Sequence, residues 1–202
     1  MNAPPIETLT DYDAACEVLA AAFATDPNVR RTLGDNVSDL RALYALVVPE
    51  MLKNPDAILL GIRDERDLVS VAVCQGPGKD LSTWVMLVRG LPVMWRLGLR
   101  KTRFLLRLAR QLEEHSPLRE DQLRLAILGT RPDAFGHGYG TALLKAVDQH
   151  AIDRGLKGVY LEADDGHYPM KLYERFGYHT EKVFDSVAGT VAVMAKPAPN
   201  HS

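Results

Sequence analysis

Three glycines at alternate positions, Gly136, Gly138 and Gly140, stand between an apolar run and a helical pattern. The run is Leu123, Leu125, Ala126, Ile127 and Leu128, the turn after it carries Arg131, Pro132 and Asp133, and apolar residues at helical spacing follow from Ala142. Glycine lets a backbone approach a ligand closely and take unusual dihedrals, and a helix begins with unpaired N–H groups and the positive end of its dipole. An anion belongs at such a junction. The spacing rules out two kinds of phosphate loop. A nucleotide P-loop ends in Gly-Lys-Ser/Thr, whereas Gly140-Thr141 has no lysine before the threonine. A dinucleotide fingerprint is Gly-x-Gly-x-x-Gly directly after a strand, whereas these glycines read Gly-x-Gly-x-Gly and stand several residues beyond Thr130.

The other chemistry-bearing residue types are less clustered. Glu162, Asp164 and Asp165 follow the short apolar stretch Val159-Tyr160-Leu161; Glu162 is the candidate general base, with Asp164, Asp165, Glu120 and Asp121 as rivals. Cys16 and Cys74 stand far apart, so they read as reduced core residues rather than a disulfide or a metal pair. The six histidines are scattered, and no His/Cys/carboxylate spacing resembles a zinc site. No metal is expected.

The hexad Phe135-Gly136-His137-Gly138-Tyr139-Gly140 resembles motif A of the GNAT superfamily of N-acetyltransferases, Gln/Arg-x-x-Gly-x-Gly/Ala, with Phe135 in place of the usual Gln or Arg. Downstream, Lys171-Leu172-Tyr173-Glu174-Arg175-Phe176-Gly177-Tyr178 resembles the end of motif B, Leu-Tyr-Glu-x-x-Gly-Phe, with Tyr178 for the phenylalanine. The asparagine common upstream of that helix is absent; Gly166-His167-Tyr168-Pro169 stands there instead. The resemblance implies an acetyl-coenzyme A site. In it Phe135, Gly136, His137, Gly138, Tyr139, Gly140 and Thr141 hold the pyrophosphate, and backbone amides around Ile127, Leu128 and Gly129 meet the oxyanion of the attacked carbonyl. It also implies Tyr173 as general acid to the leaving thiolate, while Glu162, at the end of the strand that should border the cleft, is the first candidate for the base. No Cys or Ser stands in either motif as a nucleophile, which favours direct transfer.

These residues need elements to position them. Pro5 to Leu9 reads as an edge strand. Thr10-Asp11 caps a helix carrying Ala14, Ala15, Val18, Leu19, Ala22 and Phe23, which Asp26-Pro27-Asn28 stops. Asp39 to Leu52 repeats the helical pattern, with Pro49 marking a kink or an early end. Ala57 to Ile62 and Leu68 to Cys74 form a hairpin joined by the charged Arg63 to Asp67. From Lys79 to Pro117 a helical insertion begins with one or two short helices. It continues in a helix with Phe104, Leu105, Leu108, Ala109 and Leu112 on one face and Arg103, Arg107 and Arg110 on the other. Its basic residues, Arg96 to Arg110, read as a solvated face. A membrane surface, an acidic substrate and the coenzyme's phosphates are the alternatives. The helix after the glycines ends at Gly155, and strand, helix and strand from Leu123 to Leu161 make a βαβ unit with parallel strands. In the GNAT fold that pair splays apart after a bulge; Gly129 is either the bulge or a glycine packed under a neighbour. Val183 to Ser186 and Val191 to Ala195 form a last antiparallel pair turning at Ala188-Gly189, and the tail Pro197 to Pro199 reads as disordered.

A chain of 202 residues with 47% hydrophobic and 25% charged residues fits one ordinary globular domain. The formal net charge of −2 argues against a whole-protein nucleic-acid surface. The start, Met1 to Glu7, does not read as a secretory signal, and Trp84 to Leu99, interrupted by Arg89, Gly90, Pro92, Arg96 and Gly98, cannot supply the roughly 20 uninterrupted apolar residues of a membrane span. The expectation is therefore a mixed α/β (α+β) GNAT fold over residues 1–202, mostly antiparallel with a parallel splayed pair, and with an insertion at about 79–117. The expected activity is an acetyl-CoA-dependent N-acetyltransferase in the cytoplasm, a monomer or homodimer, with a small-molecule or peptide amine as acceptor and neither nucleic acid nor membrane as partner. The alternative is a catalytically silent acyl-CoA-binding sensory domain.

Overall fold

Asp11, Asp26 and Asn36 each open a helix in the computed structural model, which describes residues 5–54, 56–78, 83–164 and 168–199. Their side chains accept N–H groups of the first turns of α1 (Tyr12–Ala24), α2 (Pro27–Thr32) and α3 (Val37–Met51). Asp26-Pro27-Asn28 thus does more than stop α1: Asp26 caps α2, whose first residue is Pro27, where a missing N–H costs no helical bond. Pro49 falls in the last turn of α3, which runs on to Met51.

Seven strands form one sheet: β1 (Ile6–Thr8), β2 (Ile58–Asp64), β3 (Asp67–Gln75), β4 (Leu123–Thr130), β5 (Gly158–Asp164), β6 (His179–Ser186) and β7 (Gly189–Pro197). Their order is β1-β2-β3-β4-β5-β7-β6, and every pair is antiparallel except β4 and β5. The charged connection expected between β2 and β3 is mostly strand. Asp64 pairs with Asp67, leaving Glu65 and Arg66 as the turn, with Glu65 at φ 54. Charged side chains at an exposed hairpin end can stay hydrated while their backbones extend the ladder.

The helical segment is α4 (Thr83–His115), broken at Gly98. At φ 79 and ψ 164 this residue adopts a conformation that a Cβ would strain, so two helical pieces, 83–97 and 99–115, meet there. The expected start of the insertion at Lys79 lies outside the described residues. Two further helices, α5 (Tyr139–Asp153) and α6 (Tyr168–Arg175), follow β4 and β5. Gly155 closes α5 as expected, at φ 66, with the Leu156 N–H donating to the Ala151 carbonyl at 2.9 Å.

Each face of the sheet has its own apolar cluster. One joins Leu123, Leu125, Leu161 and Met194 to Leu143, Leu144 and Val147 of α5. The other joins Leu59, Val71 and Val73 to Leu19 of α1 and Leu40 and Val48 of α3. The tail is ordered, contrary to expectation: Pro197 ends β7, and Ala198 is buried and donates its N–H to the Lys157 carbonyl at 2.8 Å.

Candidate active site

β4 and β5 pair only from Leu123↔Val159 to Leu125↔Leu161. At the paired end, the Lys157 N–H donates to the Asp121 carbonyl at 2.7 Å and the two side chains form an ion pair at 2.8 Å. Then β4 bulges. Val73 of β3 faces Ile127 while Cys74 faces Leu125, which leaves Ala126 as the extra residue. The bulge is therefore at Ala126 rather than Gly129. Gly129 is glycine for a different reason: a Cβ there would lie 2.9 Å from Leu19 Cδ2 and 3.3 Å from Ala22 Cβ, both on α1. Past the bulge β4 follows β3 to Thr130, while β5 follows β7 until Asp164 faces Val191. The strands part.

Along an antiparallel ladder, successive residues direct their backbone groups alternately toward and away from the partner strand. The Arg131 N–H donates to the Val69 carbonyl at 2.8 Å, so Gly129 and Ile127 likewise turn their amides to β3. Leu128 and Thr130 turn theirs to the open side. Of the three expected donors, Leu128 is the one whose N–H faces the gap.

The glycine loop begins at a single 3₁₀ turn, Pro132–Ala134. Gly136 and Gly138 take φ 84 and 81, and a Cβ on either would meet nothing within 4 Å. Gly138 is the N-cap of α5, no side chain caps that helix, and its first turn holds no acidic residue. The N–H groups of Tyr139, Gly140 and Thr141 therefore open the helix without an internal acceptor. Gly140 is already helical, and a Cβ there would lie 3.8 Å from Thr130 Oγ1. His137 braces the loop, with Nδ1 at 3.2 and 3.1 Å from the Ala134 and Phe135 carbonyls, so Nδ1 is the protonated ring nitrogen. Its ring stacks on Tyr139 at 5.7 Å, while the Phe135 side chain is exposed.

Tyr173 of α6 is buried in the same cluster as Leu125, Leu161 and, at its margin, Leu128, the residues where the strands part. It packs edge-on against Tyr178 at 5.9 Å. Burial pushes its phenol up to about 12, and the hydroxyl has no hydrogen-bond partner among the described residues. The Tyr178 hydroxyl, by contrast, donates to Asp148 at 2.9 Å, and burial followed by that carboxylate raises its pKa as well. Of the two neighbouring phenols, only Tyr173 has its proton free for another acceptor.

Residues 105–178 match the model of the acetyltransferase (GNAT) family. Solved structures of similar fold include a histone acetyltransferase HPA2 and related acetyltransferase from Corynebacterium glutamicum, 24% identical over 96% of each chain with a TM-score of 0.66. Arylalkylamine N-acetyltransferase 2 from Aedes aegypti superposes at a TM-score of 0.65, with 15% identity over 98% of this chain and 100% of its own. The paia N-acetyltransferase from Thermoplasma acidophilum, in complex with coenzyme A, superposes at 0.60, with 14% identity over 96% and 99%. None of the curated proteins compared with the chain matches it. The chain has the GNAT fold and, in its second half, the GNAT sequence pattern.

Within this GNAT frame the carboxylates are not equivalent. Glu162 accepts from Ser116 Oγ and forms a two-pronged ion pair with Arg124, at 3.1 Å from Nε and 3.1 Å from Nη2, with both side chains about nine-tenths buried. Arg124 and Ser116 were not foreseen as its partners; the pairing needs β4 and β5 side by side. Asp164, at the open end of β5, accepts from Asn28 Nδ2 at 2.5 Å. Asp121 is tied to Lys157, which lowers its pKa through a hydrogen bond. Asp165 and the Gly166-His167 stretch lie outside the described residues. Both cysteines are free and buried, and burial raises each thiol, Cys16 to about 11, so neither is a thiolate nucleophile. Among the described residues no group of three His, Cys, Asp or Glu side chains could hold a metal ion, and no helix is long and apolar enough to cross a membrane.

Proposed function

We propose that this protein is an acetyl-CoA-dependent N-acetyltransferase that moves an acetyl group directly to the amine of a small molecule or peptide. The observation that carries the reading is the parting of β4 and β5 beside a helix N-terminus that the chain leaves uncapped. The donor set fits a coenzyme: N–H groups at 139–141 for a pyrophosphate, open space over Gly136 and Gly138, and one free strand edge for an amide-bearing arm. When bound, acetyl-CoA supplies the activated thioester.

The residues of the chain then have distinct tasks. The Leu128 N–H, on the open edge of β4, donates to the thioester oxygen as charge develops there. Tyr173 donates its proton to the sulfur as the C–S bond breaks and the N–C bond forms. The amine loses its own proton on the way. Alkyl ammonium groups hold that proton up to a pKa near 10.4, so a base or a water chain must take it. Glu162 was the first candidate, but Arg124 and Ser116 compete for the lone pairs such a proton would use. Asp164, at the mouth of the gap with a neutral partner, is the better placed carboxylate.

We read residues 1–202 as one such domain with the helical segment at about 79–117 as an insertion, supported by all seven strands joining one sheet. A cytoplasmic setting goes with this reading, supported by two free cysteines. The test is calorimetric titration with acetyl-CoA, followed by turnover on an amine panel. Tight binding with release of coenzyme A on at least one amine is expected. Binding without turnover on any amine would favour the sensory domain, and no binding would remove the coenzyme site.

A further inference from the structure

The basic residues of α4 from Arg96 to Arg110 divide into two sets. Arg96 pairs with Asp39 at 2.6 Å, Lys101 reaches the same carboxylate at 3.9 Å, and Arg110 pairs with Glu114 at 2.9 Å. Arg100, Arg103 and Arg107 have no hydrogen bond or ion pair among the described residues. Spaced three and four apart, they occupy one face of the helix. That face lines an open groove of about 810 Å³, which Arg31 of α2 and the turn at 186–189 between β6 and β7 also line. The Arg31 guanidinium donates to the Ala188 carbonyl at 3.1 Å, and the Val187 N–H donates to Gln111 Oε1 at 2.9 Å, so the turn is fastened to both helices. Among the described residues no carboxylate lines the groove. Four guanidinium groups share this wall with no carboxylate among the described lining residues, an arrangement whose mutual repulsion a bound anion relieves and whose shape focuses the field.

The groove lies next to the gap. Asp164, at the open end of β5, pairs with Val191 and accepts from Asn28; Gly189 of the groove stands two residues before Val191, and Arg31 one turn after Asn28. The glycine loop follows the open end of the parallel neighbour β4, and α5 packs on the other face of the sheet from α1 and α3. A molecule held by the arginines would therefore meet the gap from the side opposite the uncapped helix.

We propose that this groove binds the acidic part of the acceptor, a small amine carrying two carboxylates or a phosphate. The inference rests on the acetyltransferase reading above for what happens to the amine, but not for the binding itself. The groove volume is that of a small-molecule site, and paired guanidinium groups suit planar or tetrahedral anions by two-pronged hydrogen bonding.

The experiment uses the full chain, with acetyl-CoA and four amines: phenethylamine, glycine, glutamate and O-phosphoethanolamine. Glutamate or O-phosphoethanolamine should exceed phenethylamine in kcat/KM by at least about tenfold, and the two separate a carboxylate from a phosphate preference. In the double variant Arg103→Gln/Arg107→Gln that ratio should fall toward one through KM, while calorimetric affinity for acetyl-CoA is retained. Equal use of phenethylamine, which carries no acidic group, by the parent protein, or a ratio unchanged in the double variant, overturns the proposal. A second readout does not need turnover: tricarballylate should raise the melting temperature of the coenzyme-saturated parent but not of the double variant. If tricarballylate binds in this arginine-dependent way and no amine is acetylated, the groove stands and the transferase reading falls. If amines are acetylated without charge preference and tricarballylate does not bind, the reverse holds. Leu91, Trp95 and Leu99 are exposed nearby, so phosphatidylglycerol vesicles form the last arm. Arginine-dependent vesicle binding with no response to tricarballylate would make this a membrane surface and overturn the proposal.

Discussion

The helices at the start of the chain and the helix after the glycine loop begin in opposite ways. α1, α2 and α3 satisfy their first N–H groups with Asp11, Asp26 and Asn36, whereas α5 starts on Gly138, at φ 81, with no side-chain cap and no acid in its first turn. A side-chain cap is worth about 1 kcal/mol, so the omission at α5 leaves stability unrealised in the free protein. The difference separates helices closed by their own side chains from one whose first N–H groups stay open. The same division runs through β4, whose first half pairs on both edges and whose second half pairs with β3 alone.

The sharpest way to break this contrast is to give α5 the charge that the other helices have. Gly140→Asp places a carboxylate in the first turn, at a helical position where a Cβ meets only Thr130 Oγ1 at 3.8 Å. We expect coenzyme A affinity by calorimetry to fall on the order of a thousandfold while the melting temperature holds or rises, because the acid complements the dipole and repels the pyrophosphate. Unchanged affinity would remove the loop from the site.

Next in size is Glu162→Ala, which tests whether the paired half of β4 and β5 is structural. Loss of the carboxylate leaves Arg124 buried without its partner, and we expect denaturant unfolding to show a loss of about 3 kcal/mol. A variant of parental stability that has lost only kcat would restore Glu162 as the base.

Tyr173→Phe deletes a hydroxyl with no hydrogen-bond partner among the described residues, so stability should change little while kcat falls by about a hundredfold. Turnover at the parental rate would make Tyr173 a packing residue. Its pH dependence has a definite sign. Burial raises the folded pKa from 10.0 to about 12, so the fold favours the neutral phenol; that stabilisation is complete below about pH 10 and is lost as pH rises toward 12. In rapid kinetics, an alkaline fall in kcat that Tyr173→Phe abolishes should therefore centre near pH 12, not 10.

The smallest effect belongs to the capped helices. Asp11→Ala should cost about 1 kcal/mol in chemical denaturation and leave coenzyme A affinity within about twofold, the mirror image of Gly140→Asp.

Local chemistry made much of this molecule legible in one dimension. The Asp11 cap, the Gly155 helix stop, the glycine loop and the Leu-Tyr-Glu segment all act through neighbours close in the chain, so residue type and spacing carry them. The parallel β4–β5 pair followed from the length of the connection between them. Other features depend on which strand lies beside which. The bulge fell at Ala126 because the register with β3 shifts there, while Gly129 answers to α1, far earlier in the chain. Glu162 looked like a free strand-end carboxylate until β4 brought Arg124 against it, and the helix stop at Asp26-Pro27 concealed a second helix start. The arginines of α4 were visible as a basic face, but the pairing of Arg96 and Lys101 required α3 in place, and the groove beside Arg100, Arg103 and Arg107 required α2. An isolated helix has no groove, and a charge acquires a counter-ion only when the fold supplies one. Spacing along the chain therefore determined most of the elements and the glycine loop, and tertiary packing decided which carboxylates and which cations are ion-paired, because Coulomb and hydrogen-bond partners are chosen by distance in space.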